Sequence, residues 1–398
     1  MSDQRRYLLA YGALHTAGIE TLIVRLANHL VRDGGDVAVC FSGGVLASAL
    51  DGRVAHLDSA DLTDAVRRSC NWLSHDPAGA AVLISFDPIS AALGLAIETA
   101  APIGVRVTHL SGIYHARAYH MTGERRDRVW LNRLVARAVG DSHLFYMNRE
   151  TRDDHAARWG IDLSGSAIIP VPVDAMPRVW TPRSGASLKV VSVGRLTDFK
   201  QYNLGIPGIV RDCHAAGVEV DWDIYGTGPL AAEMTAEIAR CGVADHVAMK
   251  GNLAYHQMPE TVARYDLFVG LGTAALEAAM QGVPTIAATD SQQRASYGYF
   301  HQLPFGNLGE RQATPAPYDI GDMLIDHARL RNAGRIDLSE QAHAAAMLYA
   351  MPDIVRMLYQ LAEDAPPPPG RRFKRAVAAL YRALTDSRLV KLLRRAKR

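Results

Sequence analysis

Val269 to Ile286 reads VGLGTAALEAAMQGVPTI and predicts a glycine-rich loop that runs into a short helix and then into a buried strand. Gly270 and Gly272 let the backbone approach a ligand closely because glycine has no side chain. Thr273 is the expected N-cap of the helix, and residues 274 to 280 are good helix formers. The stretch therefore predicts a loop and helix of an α/β sheet.

The start of this helix is a predicted anion site. The free amides of its first turn, which includes Ala274, and the positive end of the helix dipole suit a pyrophosphate. Glu277, one turn further along, can accept hydrogen bonds from ribose hydroxyls. Gly282 and Pro284 then end the helix. A simple joint between a helix and a strand remains the alternative interpretation.

Length and composition indicate a soluble protein of two ordinary domains. The chain has 398 residues, of which 48% are hydrophobic and 21% are charged. No run of eighteen apolar residues and no apolar leader is present, so we expect a cytoplasmic location. The four cysteines are scattered without CxxC spacing, which predicts neither a metal site nor a disulfide framework.

The C-terminal tail is strongly basic. Residues 371 to 398 carry a net charge of +10, which leaves the other 370 residues at −8. Four prolines at 366 to 369 predict a stiff spacer before the tail, and apolar residues then recur at helical spacing. A basic amphipathic helix of this kind suits an anionic membrane surface rather than a nucleic acid. The alternative is a helix docked on the acidic body or on another subunit.

The first half of the chain predicts a βαβ domain. A strand at residues 7 to 11 is followed by a glycine-containing break, a helix with its apolar residues on one face, and a strand at residues 37 to 41. This order implies a parallel sheet with a ligand site at the strand ends, where Gly18 would lie. Further strands are predicted at residues 81 to 86, 105 to 107, 144 to 147 and 167 to 173.

Histidines follow one of these strands. His109, His115 and His120 lie in the stretch VTHLSGIYHARAYH beside two tyrosines. A histidine at a strand end can hold a substrate hydroxyl or transfer a proton, because its pKa lies near neutral pH. We expect at least one of the three to contact a ligand.

A second α/β series begins after a proline-containing linker at residues 174 to 185. Its strands are predicted at residues 190 to 193, 222 to 225, 246 to 249, 267 to 269 and 285 to 287. The predicted organisation is an N-terminal domain at 1–178, a C-terminal domain at 179–345, a helix at 346–365 that returns toward the first domain, and the spacer and tail at 366–398. We expect the ligand site in a cleft between the two domains.

Polar groups follow several strands of the second domain. Arg195 and Lys200 lie in the loop after residues 190 to 193 and can neutralise a departing pyrophosphate. Gly226 belongs to the stretch IYGTGPL, an incomplete dinucleotide fingerprint that argues against an NAD-dependent oxidoreductase. The backbone of Gly251 and Asn252 can read a nucleobase edge while Leu253 packs on its face.

Together these stretches resemble the retaining GT-B glycosyltransferases of family 4 over roughly residues 5 to 360. The segments that carry the likeness are AGIE at 17–20, IIPVPVD at 168–174, VGRLTDFK at 193–200, IYGTGP at 224–229, KGNL at 250–253 and LEAAMQGVPTI at 276–286. The resemblance implies two Rossmann-like domains and transfer of a hexose from a nucleotide sugar, UDP- or GDP-linked, to an acceptor hydroxyl. It implies no metal and no cofactor.

The resemblance also implies roles for single residues. Residues matching Arg195 and Lys200 bind the donor diphosphate, and the residue matching Glu277 binds the ribose. The glycine matching Gly18 lies near the phosphates, and either His109 or His115 matches a histidine that touches the donor sugar. The acceptor is expected to be a glycan or a lipid-linked sugar at the inner membrane face, as in envelope or capsular polysaccharide synthesis.

One position departs from the family pattern. The family has two glutamates eight residues apart, and Val269 stands where the first would be. That glutamate normally contacts the donor sugar, so the resemblance leaves the identity of the sugar open. It also leaves a second hypothesis, a non-catalytic relative that binds nucleotide sugars or acts as a scaffold.

Overall fold

The computed structural model describes residues 5–15, 18–58, 61–75, 79–115, 118–119, 129–183, 185–366 and 370–385. The chain forms two compact units, residues 1–171 with 354–398, and residues 172–353. The sequence placed the boundary at 178/179, seven residues later. Residues 173 to 180 belong to the second unit because their backbone bonds to Tyr349 and Gln281 of that unit.

The first unit contains a parallel sheet of seven strands in the order β3-β2-β1-β4-β5-β6-β7. The apolar strands that the sequence predicted form its centre, and a strand at 55–58 that it did not predict adds one edge. The strands are β1 Arg6–Ala10, β2 Asp36–Phe41, β3 Ala55–Asp58, β4 Ala80–Ser85, β5 Arg106–Ile113, β6 Leu144–Tyr146 and β7 Ala167–Ile168.

Helices connect these strands and bury their apolar residues against the sheet. Asp61, Asp87 and Asn148 cap the second, third and fifth helices by accepting first-turn amide hydrogens. The helices in this half are α1 Gly18–Arg32, α2 Leu62–Leu73, α3 Pro88–Ala100, α4 Val129–Val139 and α5 Arg149–Trp159, with short 3-10 turns at Val45–Ala49 and Asp141–His143.

The second unit has its own seven-stranded sheet in the order β10-β9-β8-β11-β12-β13-β14. The first five strands pair in parallel, whereas the pairings of β12 with β13 and of β13 with β14 are antiparallel; the sequence did not predict these last two strands. The strands are β8 Leu188–Val193, β9 Val220–Tyr225, β10 Val247–Gly251, β11 Leu267–Gly270, β12 Thr285–Ala288, β13 Ala295–Tyr299 and β14 Tyr318–Asp319.

The helices of this unit pack against its sheet. The larger of the resulting cores contains Trp222 and Tyr202. They are α6 Tyr202–Ala215, α7 Ala231–Cys241, α8 Met258–Val262, α9 Thr273–Met280, α10 Ile320–Asn332 and α11 Ser339–Met347, with 3-10 turns at Asp198–Lys200, Tyr255–Gln257 and Phe300–Gln302. The α12 helix, Met351–Asp364, begins in this unit and continues in the first.

The final described helix, α13 Arg371–Thr385, docks on the first unit. Val377, Ala378 and Tyr381 join the core formed by α3 and α4, and Lys374 forms a buried ion pair with Glu98. Part of the apolar face that the sequence assigned to a membrane surface is therefore docked on this unit, as the alternative predicted, while Phe373 and Leu380 remain exposed and the membrane contact stays a prediction. The rest of the predicted tail, 386–398, lies outside the described residues.

Candidate functional site

The predicted anion-binding residues lie at the carboxyl edge of the second sheet. Strand β8 is central, with β9 and β10 on one side and β11 and β12 on the other. The chain therefore adds strands to one side of β8 and then, from β11 onward, to the other side. Ligands of open α/β sheets bind at such a switch point. The loops after these two strands carry Arg195, Lys200 and Gly272, which are therefore neighbours at one edge.

The loop after β8 is held by backbone hydrogen bonds to the loop after β9. Gly194 N–H donates to Tyr225 and Leu196 N–H donates to Thr227, at 2.9 and 3.0 Å. Gly226 N–H in turn donates to the Gly251 carbonyl at 2.7 Å, which ties in the loop after β10. Three consecutive strand ends thus form one connected layer.

Arg195 and Lys200 are two cations of this layer with different surroundings. Arg195 is exposed, whereas Lys200 is half-buried with its Nζ against the α-carbon of Gly194. Burial, and secondly the charge of Arg195, lower the pKa of Lys200 to about 8. Two adjacent cations, one of them partly desolvated, form a site that an anion would stabilise.

Helix α9 follows β11, the strand that pairs with β8. The cap position is Gly272, at φ +75°, so the expectation that Thr273 is the N-cap is wrong; Thr273 is the first helical residue. Among the described residues, no backbone acceptor meets the amides of Thr273 and Ala274, whereas the next two amides donate to the Gly272 carbonyl. Two free amides thus lie at the positive end of the helix dipole.

Glu277 lies on the second turn of α9, where Tyr255 Oη donates to its Oε1 at 2.9 Å. Tyr255 follows β10, so this bond joins the loops after β10 and β11. Asn252 lies in the same loop, and its Oδ1 accepts from Thr227 Oγ1 at 3.0 Å. Leu253 packs partly against the core under α9. The predicted base-binding and ribose-binding groups are therefore at the same sheet edge.

Two of the predicted binding glycines, Gly270 and Gly226, are also required by packing. A Cβ on Gly270 would lie 2.8 Å from the Phe268 ring, and Gly270 itself is buried at the end of β11. A Cβ on Gly226 would collide with the Gly194 carbonyl oxygen. Val269, the position that departs from the family pattern, is fully buried in the core of this unit.

Ser291 and Arg311, which the sequence did not indicate, hold the loop that carries Arg195 and Lys200. Ser291, whose φ is +55°, donates its N–H to the Phe199 carbonyl at 2.9 Å. Arg311 donates to the Ser291 carbonyl at 3.2 Å. No sequence motif marks a strained serine of this kind. For Tyr255, the only sequence signal is its position directly after the stretch KGNLA.

The structure places the two candidate histidines, His109 and His115, in different surroundings. The expectation that His109 lies near a strand end is wrong, because it occupies the middle of β5, 1% exposed, with Nε2 3.0 Å from Ser85 Oγ. Burial, and secondly the charge of Lys374, hold the pKa of His109 well below its usual value. His115 is exposed two residues after β5 ends, at the carboxyl edge of that sheet. His120 lies outside the described residues.

Gly18 begins helix α1, after the central strand β1 of the first sheet. A Cβ there would meet no atom within 4 Å, so the position has open space around it. Strands β1 and β4 are adjacent, and the strand order reverses between them as it does in the second unit. His115 and Gly18 thus share the carboxyl edge of the first sheet.

Residues 181–296 match the family model described as glycosyl transferases group 1. That range contains Arg195, Lys200, Gly272 and Glu277, together with all five parallel strands of the second sheet. The second unit carries a group 1 glycosyl transferase domain. The resemblance inferred from the motifs is confirmed for this unit by the family match.

Curated relatives match part of the chain. A GDP-mannose-dependent alpha-(1-6)-phosphatidylinositol monomannoside mannosyltransferase of Mycobacterium tuberculosis is 28% identical over 183 residues, which are 39% of this chain and 46% of that protein. A 2-deoxystreptamine glucosyltransferase of Streptomyces kanamyceticus is 27% identical over 146 residues, 33% of this chain and 37% of that protein. The chain spans less than half the length of these relatives.

Solved structures match nearly the whole chain. The lipopolysaccharide outer core galactosyltransferase WaaB has a TM-score of 0.62 at 14% identity, covering 90% of this chain and 98% of that one. A glycosyltransferase from Rickettsia africae has a TM-score of 0.63 at 11% identity, covering 91% and 99%. These likenesses confirm the predicted fold class, an α/β fold with two Rossmann-like domains of the GT-B type.

Gly226 of the group 1 domain offers a direct test of the connected loops. We expect Gly226→Ala to lower the free energy of unfolding by about 2 kcal/mol or more, since the new Cβ meets the Gly194 carbonyl at φ +152°. Gly217→Ala is the matched control, because its φ is also positive but its surroundings are open, and about 1 kcal/mol is expected. Urea denaturation measures both. Equal losses would show that backbone strain alone, without the contact, explains the effect.

Proposed function

We propose that the protein is a retaining glycosyltransferase that moves a hexose from a nucleotide diphosphate sugar to a hydroxyl of a glycan or lipid-linked acceptor. The observation that carries the proposal is the position of Arg195, Lys200 and the free amides of α9 at one switch point inside the group 1 domain. Cations and helix amides are the groups that bind a diphosphate. The named activities of the relatives, all sugar transfers, support it.

The chemistry requires stabilisation of a leaving group. When the bond from the sugar to the diphosphate breaks, negative charge builds on the phosphate oxygen. Arg195, Lys200 and the amides of Thr273 and Ala274 stabilise that charge in the positions described. In a front-side reaction the departing phosphate accepts the acceptor proton, so the proposal requires no carboxylate nucleophile and no metal ion. His115, exposed at the edge of the first sheet, is the histidine proposed to touch the sugar.

Nucleotide recognition is assigned to the loops after β10 and β11. Glu277, oriented by Tyr255, accepts hydrogen bonds from the ribose hydroxyls. Gly251, Asn252 and Leu253 present backbone groups and an apolar surface to the base. We propose a UDP- or GDP-linked donor.

A panel of UDP, GDP and ADP sugars tests the proposal. We expect one donor to raise the melting temperature of the protein, and the same donor to be hydrolysed slowly or transferred when acceptors are added. Binding of a nucleotide sugar without turnover across donors and acceptors would instead support the second candidate, a non-catalytic relative. The burial of Val269 favours that candidate, because the position offers no polar group to the donor sugar.

The titration of Lys200 gives a pH prediction. Its pKa of about 8 means that the free protein loses this charge as the pH rises from 7 to 9. Because a nucleotide sugar keeps a constant diphosphate charge over this range, we expect its affinity to fall up to tenfold per pH unit above 8. Calorimetry at several pH values measures this. In Lys200→Arg the decline should disappear, and a decline that persists there would assign it to another group.

The names of the matched proteins and the exposed basic surface of α13 support the proposed acceptor and location. The names of two matched proteins contain lipid-linked sugars, a phosphatidylinositol monomannoside and a lipopolysaccharide. No helix among the described residues is long and apolar enough to cross a membrane. We propose a peripheral location at the inner face of the membrane, in envelope or capsular polysaccharide synthesis.

The outer face of α13 is the proposed membrane contact. Phe373 and Leu380 remain exposed beside Arg372 and Arg375, although the inner face of the helix is docked. A groove of about 610 Å³ between α2, α3 and α13 has an apolar floor and three arginines in its lining. Arginines around exposed apolar side chains suit an anionic lipid surface.

Vesicle co-sedimentation tests this contact. We expect Arg372→Glu with Arg375→Glu to reduce binding to phosphatidylglycerol vesicles at least tenfold while nucleotide affinity stays unchanged. Arg137→Glu with Arg106→Glu, two exposed arginines of the same unit, is the control for the same change of net charge. Binding that is unchanged in the double variant would contradict the membrane contact but not the transfer reaction.

A further inference from the structure

A cluster of metal-ligating side chains lies at the amino edge of the second sheet, on the side opposite to the nucleotide loops. His214 is in the last turn of α6, Glu219 immediately precedes β9, and His246 immediately precedes β10. One ligand atom from each of these residues lies within 4.8 Å of the other two. The two imidazole rings meet edge to face with centroids 4.3 Å apart.

A second carboxylate orients one of these histidines. His246 Nδ1 lies 3.0 Å from Asp221 Oδ1, and Asp221 is itself held by Ser187 Oγ at 2.8 Å and Lys189 Nζ at 3.3 Å. A carboxylate on Nδ1 fixes the proton there and leaves Nε2 with its lone pair free for a metal. This carboxylate–histidine arrangement is the usual outer shell of a zinc ligand.

We propose that His214, Glu219 and His246 bind one zinc ion that has no part in sugar transfer. Two imidazoles and one carboxylate with a water molecule form a four-coordinate set typical of Zn²⁺. Ligand atoms around tetrahedral zinc lie about 3.3 Å apart, so ligand atoms within 4.8 Å of one another must close by up to about 1.5 Å. Glu219 is more than half exposed and can make that movement.

His214 also has a structural contact, and this affects the strength of binding. Its Nε2 lies 3.2 Å from the Val220 amide and 3.1 Å from the Val220 carbonyl, at the start of β9 before its pairing with β10 begins at Trp222. A metal that takes this atom replaces the contact with the amide. The bound ion would link α6, β9 and β10, and would therefore stabilise the second unit without touching the nucleotide loops.

Zinc binding to the full chain, freed of tags and treated with chelator, tests the proposal. We expect calorimetry with zinc chloride to give one ion per chain, and zinc to raise the melting temperature where magnesium does not. Cobalt should bind with the strong visible absorption of a four-coordinate site. His246→Ala and Glu219→Gln should each weaken zinc binding at least tenfold, and Asp221→Asn about 10–100-fold.

Controls separate this site from scattered surface histidines. His75→Ala removes an exposed histidine of the first unit and should leave the zinc affinity unchanged. Glu219→Gln changes only an exposed side chain, so it keeps the test valid if His246→Ala fails to fold. Zinc affinity that is unaffected by both substitutions, or equal stabilisation by magnesium, would overturn the proposal. Nucleotide affinity should be the same with and without zinc.

Discussion

Arg195→Ala and Lys200→Ala are each expected to reduce kcat for sugar transfer by about 10²–10³-fold, with the fold retained. Each substitution removes one of the cations proposed to stabilise the departing diphosphate, and removal of one preorganised donor has an effect of this size. Both side chains lie on the loop after β8, outside the buried core. The melting temperature should therefore change little, and steady-state kinetics with the preferred donor measures the loss.

Arg264→Ala is the matched control, since it removes an exposed arginine of the same unit that pairs only with Glu260 among the described residues. It should leave kcat unchanged. The double variant Arg195→Ala/Lys200→Ala should lose less than the product of the single losses, because both cations act on the same charge. Near-normal kcat in both single variants would refute the role assigned to these cations and with it the enzymatic proposal.

Much of the sheet architecture could be predicted because parallel strands buried on both faces read as continuous apolar runs. Residues 190–193, 267–269 and 285–287 are nearly such runs, with only Ser192 and Thr285 polar, and each is a strand. β3 at 55–58 and β14 at 318–319 were missed because edge strands are short and bury little. Their sequences, AHLD and YD, carry no periodic signal that could distinguish them from loops.

The site was predictable where local sequence fixes geometry and not where contacts are long-range. Glycines, a helix start and two cations on adjacent loops are visible in the sequence, whereas the bond from Tyr255 to Glu277 depends on which strands become neighbours. The position of His109 was misjudged because β5 extends to Ile113, six residues beyond the predicted strand. The docking of α13 was predicted only as an alternative, and its partner could not be named because Glu98 is 276 residues from Lys374.

The buried ion pair between Lys374 and Glu98 joins α13 to the first unit. Lys374→Ala is expected to lower the free energy of unfolding by about 3–5 kcal/mol, because it leaves the Glu98 carboxylate buried without its partner. Lys374 Nζ lies 2.6 and 2.7 Å from the two carboxylate oxygens, with side chains only 2% and 11% exposed. Burial already raises the pKa of Glu98 and lowers that of Lys374, so desolvation is a large cost for both.

The pH dependence identifies the buried charge as the cause. Without Lys374 the pKa of Glu98 rises further above its unfolded value, so the folded variant binds a proton more tightly and regains stability as the pH falls. The loss should therefore be smaller at pH 5 than at pH 8. Replacement of both partners, Lys374→Met with Glu98→Met, removes the charges and should restore most of the stability at either pH. A double variant as unstable as Lys374→Ala would show that packing of the lysine stem, rather than the unpaired carboxylate, holds α13 in place.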